Sequence, residues 1–324
     1  MKRIASILLV GTLISVLAAC NGAAGGLGSV PSAVPTASPD PSGPDLTPAP
    51  SPSSEPSTSP SVEPDATPST SPSQSPSSAE TMIVRAYFVL GGEPGSAGLV
   101  PVLRVVPKSA GVAAAAMRAL LAGPTAAESG DRISTGIPAG TQLLGVTIKN
   151  NVATVDLSTE FDSGGGSASM HYRLAQVTYT LTQFTTVKSV VFQIDGQTVT
   201  VFGSEGIVLN GPVGRADFTD QLPSIFVDRP AYGAAIGNPA RVTGNANVFE
   251  ATFRMAILDG SGKTLVDSQV MATCGTGCRG TFDITLRYNV SKAQWGTLHA
   301  YNLSAKDGTP EDIRDYPVWL TPTS

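Results

Sequence analysis

The stretch Asp162-Ser163-Gly164-Gly165, followed by His171, holds residue types that could support acyl transfer. That chemistry needs a serine, a separate histidine base and a buried aspartate that orients the base. A glycine-rich loop running straight into a helix supplies neither that base nor that aspartate, and no Gly-x-Ser-x-Gly elbow occurs in the chain. Gly260-Ser261-Gly262-Lys263-Thr264 ends like a phosphate loop, yet Ile257 stands where the full pattern needs glycine. Leu265 to Val270 also reads as strand rather than helix, so Asp259 to Gly262 is expected to be a hairpin turn. The only histidines are His171 and His299, and His299 sits beside Tyr301 on an expected strand as a half-exposed sheet residue. Asp156 and Glu160 flank Leu157 at the end of a strand, where solvated or capping roles are ordinary. No catalytic residue, cofactor or small-molecule substrate is expected.

Cysteine chemistry is more informative. Cys274 and Cys278, separated by Gly-Thr-Gly, are expected to form a local disulfide; two thiolates without further ligands fall short of a zinc site, so no metal is expected. Cys20 follows Lys2, Arg3, an apolar run from Ile4 to Val16 and Leu17-Ala18-Ala19, the three parts of an export signal. Leu17-Ala18-Ala19-Cys20 resembles the bacterial lipobox, which implies a signal peptide over 1–19 and an acyl anchor on Cys20. The expected location is extracytoplasmic, lipid-anchored to a membrane.

The elements that would carry these residues begin late. Residues 20–80 are expected to be a disordered linker, since Pro31 to Ser78 is nearly all Pro, Ser, Thr, Ala and acidic residues. About sixty such residues reach roughly 40 Å as a flexible coil. The chain carries a net charge of −5 and no basic tract, which argues against nucleic acid or anionic lipid headgroups as the main partner.

From residue 81 the patterning becomes globular. Met82 to Leu90 and Val102 to Val106 read as strands, then Ala110 to Ala122 as a helix with Ser109 at its N-cap and Gly123-Pro124 as its stop. Leu143 to Lys149 and Val152 to Leu157 flank the hairpin turn Asn150-Asn151. Ser169 to Phe184 reads as an amphipathic helix with Met170, Leu174, Val177, Leu181 and Phe184 on one face. Tyr172 and Tyr179 fall on the opposite side, either as an aromatic partner face or packed under a neighbouring loop. Val190 to Ile194 is expected to pair with Val199 to Phe202 across Asp195-Gly196. Mixed strands with two helices make residues 81–210 an α+β domain. Residues 211–324 alternate with period two, in Phe249, Ala251, Phe253, Met255, Ile257 and again in Phe282, Ile284, Leu286, Tyr288, which predicts an all-β immunoglobulin-like sandwich.

Several ordered motifs bring a family into view. Leu120-Leu121-Ala122-Gly123-Pro124-Thr125, Ile137-Pro138-Ala139-Gly140-Thr141 and Val152-Ala153-Thr154-Val155-Asp156-Leu157-Ser158, then Glu160-Phe161 and the helix through Gln183-Phe184, resemble the GerMN domain of bacterial sporulation and germination lipoproteins. Asn238-Pro239-Ala240, Val242-Thr243-Gly244, Val248-Phe249-Glu250-Ala251 and Cys274 to Cys278 resemble the immunoglobulin-like domain that accompanies it in spore-germination proteins. The resemblance implies a non-enzymatic interaction or scaffold protein of the cell envelope, with envelope proteins or peptidoglycan as partners. A glycan binder using exposed aromatics such as Tyr172, Tyr179 or Trp295 is the competing expectation.

Overall fold

β1 (Thr81–Leu90) forms where the first buried strand is expected and runs antiparallel to β2 (Gly98–Pro107), in register from Thr81 opposite Pro107 to Leu90 opposite Gly98. This computed structural model describes residues 80–93 and 95–322; the leader, Cys20 and the linker lie outside them. α1 (Val112–Leu121) starts from Gly111 with no side-chain cap, so Ser109 is not the N-cap. Gly123, at φ +77°, turns the chain out of it, a conformation that costs glycine little. α2 (Ala126–Gly130) is a third helix that the sequence reading missed. Its signal was present: Thr125 and Glu128 form a reciprocal capping box.

β3 (Ile133–Ser134) pairs with the end of β1. β4 (Leu143–Lys149) and β5 (Val152–Leu157) form the expected hairpin, with Asn150 and Asn151 both at positive φ. α3 (Ser167–Leu181) crosses to β6 (Ser189–Ile194), which lies parallel to β5. The partner expected for β6 is wrong. The two-residue turn Asp195-Gly196 brings β7 (Gln197–Thr198) opposite it, while β8 (Val201–Phe202) pairs further on with β9 (Ile207–Val208).

The second domain is a sandwich. Its strands are β10 (Ile225–Arg229), β11 (Ala235–Ile236), β12 (Ala240–Ala246), β13 (Thr252–Leu258), β14 (Thr264–Met271), β15 (Gly280–Leu286), β16 (Gln294–Leu303) and β17 (Pro310–Leu320). One sheet has the order β10-β12-β15 and the other β11-β17-β16-β13-β14. Phe253 and Phe282 meet between them at 5.0 Å. Alternation along β13 begins at Phe253; Phe249 and Ala251 sit in a short 3-10 turn instead, with Phe249 exposed because Glu250 and Ala251 take positive φ. Gly260-Ser261-Gly262-Lys263-Thr264 is the β13–β14 turn and the start of a strand, not a phosphate loop.

Residues 211–222, expected to open the second domain, pack on the first. Val213 bridges to Val190, and Phe218, in the 3-10 turn Arg215–Gln221, is buried. All described residues belong to one compact unit; a large apolar core runs from Ala86 to Leu320, and a small satellite cluster forms around Val84, Val106 and Ala116.

Candidate functional site at the seam of the two domains

The seam is built from three elements that converge on Asp228. In β1, Arg85 and Tyr87 are two residues apart and therefore point to the same side. α3 covers the edge of β1 that β2 leaves free. Thr180 accepts a hydrogen bond from the Tyr87 amide (3.1 Å), Gln176 donates to the Tyr87 carbonyl (2.9 Å), and Gln183 bonds both the amide and the carbonyl of Arg85 (2.8 and 2.7 Å). A helix thus does the work of a missing strand, and the edge is satisfied.

β10 supplies the acid. Its register against β12 shifts between Val227 and Arg229, so Asp228 is the bulged residue, turned out of the ladder. Tyr87 donates to Asp228 Oδ1 at 2.5 Å, Arg215 Nη1 approaches the same oxygen at 3.4 Å, and Arg85 Nη1 lies 3.3 Å from Oδ2. The Arg215 guanidinium also stacks over the rings of Tyr179 (4.6 Å) and Tyr87 (5.4 Å).

These surroundings fix protonation. Burial works to raise Asp228, but the charges of Arg215 and Arg85 outweigh it and hold the carboxyl below its usual range. Burial pushes the Tyr87 hydroxyl far up and Tyr179 to about 12. The seam therefore holds a fixed carboxylate, two guanidinium groups and neutral phenols. Tyrosines held neutral keep their hydroxyl protons to donate, Tyr87 to Asp228 and Tyr179 to the Arg215 carbonyl.

The residues singled out from sequence fall elsewhere. Ser163 Oγ donates to the Glu160 carbonyl, while His171 Nδ1 faces the Ser167 carbonyl at 2.9 Å, so neither partners the other. Asp156 accepts from the Gly196 amide at 2.9 Å, and Glu160 accepts from the Ser158 hydroxyl. Tyr179 is 2% exposed and bonds the Arg215 carbonyl, and Tyr172 is half-buried, so the pair makes no open partner face. Residues 213–222 are the cover that closes over that side of α3. Cys274 and Cys278 are disulfide-bonded with Cα atoms 5.8 Å apart, while Cys20 lies outside the described residues. Among the described residues, no group of three or more His, Cys, Asp or Glu is placed to hold a metal.

Sequence reasoning missed the buried arginines. Arg173 donates to the carbonyls of Gly136, Phe161, Ser163 and Gly164, pinning the loop that resembled a nucleophile loop. Arg314 reaches from β17 to the carbonyls of Ser96, Gly98 and Leu99.

A second surface lies on the outer face of the five-stranded sheet. Trp295 and Trp319 are cross-strand partners with rings 5.3 Å apart, and Trp295 is 54% exposed. Further along β16, His299 and Tyr301 follow at two-residue spacing, His299 on Asp315 (2.6 Å) and Tyr301 on Asp267 (2.8 Å).

Comparison with known proteins gives this architecture its context. Residues 85–200 match the family model Germane, described as sporulation and spore germination. Residues 224–309 match Gmad2, the immunoglobulin-like domain of bacterial spore germination. The chain joins a GerMN-type domain to a Gmad2 domain. Among solved structures, the tandem GerMN domains of the sporulation protein GerM from Bacillus subtilis are similar at 16% identity and TM-score 0.37, over 64% of this chain and 62% of that one. The first GerMN domain of the same protein is similar at 25% identity and TM-score 0.35, over 42% of this chain and 99% of that one. A putative lipoprotein from Clostridium perfringens is similar at 20% identity and TM-score 0.31, over 44% and 92%. No curated protein matches the chain. The seam therefore joins the GerMN-type and Gmad2 domains, and Asp228 lies near the start of the Gmad2 match.

Proposed function

We propose that this protein is a non-enzymatic, extracytoplasmic lipoprotein that serves as an interaction scaffold of the cell envelope in sporulation or spore germination. The observation that carries this reading is the pairing of a GerMN-type domain with a Gmad2 domain in one chain. The seam adds support: Asp228 of the second domain is tied to Tyr87, Arg85 and Arg215, which pack with the first. The lipobox-like Leu17-Ala18-Ala19-Cys20 supplies the tether to a membrane. Crosslinking in living cells, comparing the full chain with Cys20→Ala, tests both halves. Capture of envelope proteins by a membrane-fractionating wild type is expected, with the variant released from the membrane. Failure to recover any reproducible envelope protein sinks the scaffold role, and an unchanged location for Cys20→Ala sinks the anchor.

The Trp295–Trp319 pair favours a second reading, in which the Gmad2 sheet binds peptidoglycan or another glycan. Rings presented on a flat face beside hydrogen-bonding side chains suit the apolar faces and hydroxyl edges of sugars. These are the only two tryptophans in the chain, so their fluorescence reports the surface directly. Co-sedimentation with purified cell wall that Trp295→Ala abolishes is the expected result; sedimentation unchanged by that substitution rejects the reading.

A further inference from the structure

Next to Asp228 the seam opens into a cleft of about 370 Å³ whose charge is out of balance. Four cations line it, Arg85, Lys188, Arg215 and Arg229, against the single carboxylate of Asp228. In a chain of net charge −5 this is a local concentration of positive charge. Asp228 cannot neutralise it. One oxygen already accepts from Tyr87 and the other serves Arg85, and the two guanidinium contacts are long, at 3.3 and 3.4 Å. Charge-assisted pairs at full strength sit at about 2.7–2.9 Å.

The donors left over face the cleft. Arg85 has a side chain only 10% exposed, yet only its Nη1 finds a side-chain or backbone acceptor among the described residues. Its Nε and Nη2 remain for a ligand, since a guanidinium carries five N–H donors. At the rim, Lys188 and Arg229 are exposed, and their side chains make no ion pair with the described residues. Like charges gathered in a partly buried cleft oppose one another, and an anion placed among them removes that opposition.

The geometry points to a binding site for a phosphate group in this cleft, held by Arg85 from within and by Lys188 and Arg229 at the mouth. A phosphate monoester carries a charge of about −1.5 to −2 and three acceptor oxygens, which suits three cations better than a single carboxylate would. The open mouth lets whatever bears the phosphate extend outward, so a soluble or polymeric phosphate ester and a phospholipid headgroup share the required chemistry. This inference goes beyond the scaffold reading and needs neither the anchor nor a protein partner to be true.

The test is calorimetric titration of the full chain with inorganic phosphate and with glycerol 3-phosphate at low salt, alongside a Lys188→Ala/Arg229→Ala variant. Saturable binding is expected for the wild type, weakened at least about tenfold in the variant, or ~1.4 kcal/mol. Both substitutions sit at an exposed rim, so the thermal midpoint should hold. A Lys263→Ala/Lys306→Ala variant removes the same charge elsewhere and should bind as wild type does. Co-sedimentation with phosphatidylglycerol vesicles then separates the sources. Vesicle binding lost with Lys188 and Arg229 assigns the site to a lipid headgroup, and phosphate binding without it assigns a soluble or polymeric ester. No binding of any probe, equal weakening by the two lysine-containing variants, or full binding after loss of Lys188 and Arg229 each overturns the site.

Discussion

Asp228 shows how much one side chain can carry when a bulge re-aims it. Asp228→Asn keeps the shape but leaves Arg85 and Arg215 without their counter-charge, and breaking such a buried pair costs about 3 kcal/mol or more. Urea denaturation should show a loss of that size, and Tyr87→Phe, which removes both the donor to Asp228 and the acceptor of Arg215 Nη2, should cost about 1.5–3 kcal/mol. The pH dependence has a definite sign. The folded carboxyl lies below its unfolded value of about 3.9, so its stabilisation is present above that pH and is lost as acid titrates through the lower folded value. Thermal midpoints of the wild type should therefore fall below about pH 4, and less steeply in Asp228→Asn. Tyr179, raised to about 12, acts on the other side: its contribution is intact below the unfolded value of about 10 and is lost as pH rises toward 12. A midpoint that stays flat across the acid range would remove Asp228 from this account. None of this was legible in the sequence. Tyr87 and Asp228 are 141 residues apart, and a bulge has no periodic signature.

α3 was half legible as an element. Its apolar stripe is buried at Met170, Leu174, Val177 and Leu181, but the helix ends at Leu181, so the expected fifth member, Phe184, lies past it in a turn and is half-buried. What escaped notice is a second stripe, Gln176, Thr180 and Gln183, at i, i+4 and i+7, which serves the free edge of β1. Polar residues at helical spacing ordinarily mean a wet face, so the pattern was visible but its meaning depended on a strand more than 80 residues upstream. The same limit explains β6. Its hairpin turn was correctly placed, but the next strand to form was the two-residue β7 rather than the apolar run Val201–Phe202. The capping box of α2 and the Cys274–Cys278 loop are local, and local chemistry could be read from spacing alone. If the polar stripe does pair the edge, Thr180→Val should preserve volume yet strip the Tyr87 amide of its acceptor. The expected loss is about 1–2 kcal/mol, with faster hydrogen exchange at Tyr87 than at its β1 neighbours. Unchanged exchange there would mean that the edge is held by β2 and packing alone.

At the scale of the whole molecule, the GerMN-type and Gmad2 domains do not behave as beads on a string. Their apolar residues form one continuous core, and Tyr179 packs edge-on against Phe226 across the boundary. Arg314 adds a polar lock: a guanidinium 1% exposed in β17 donates to the carbonyls of Ser96, Gly98 and Leu99 at the start of β2. Those carbonyls belong to the one domain and the donor to the other, so the lock exists only while the two are docked. A shared core and a shared lock predict one calorimetric transition for the wild type, because neither half can unfold without exposing the other's buried surface. Arg314→Met keeps the apolar stem and volume but removes the shared donor of the Ser96, Gly98 and Leu99 carbonyls, and each buried acceptor left unpaired costs about 1–3 kcal/mol of desolvation. That cost falls on the docked state alone, since the separated domains would hydrate the carbonyls. The variant should therefore unfold in two steps, the seam opening before either core melts. A single transition at the wild-type midpoint would instead mean that the apolar core alone couples the domains and that Arg314 is incidental to their union.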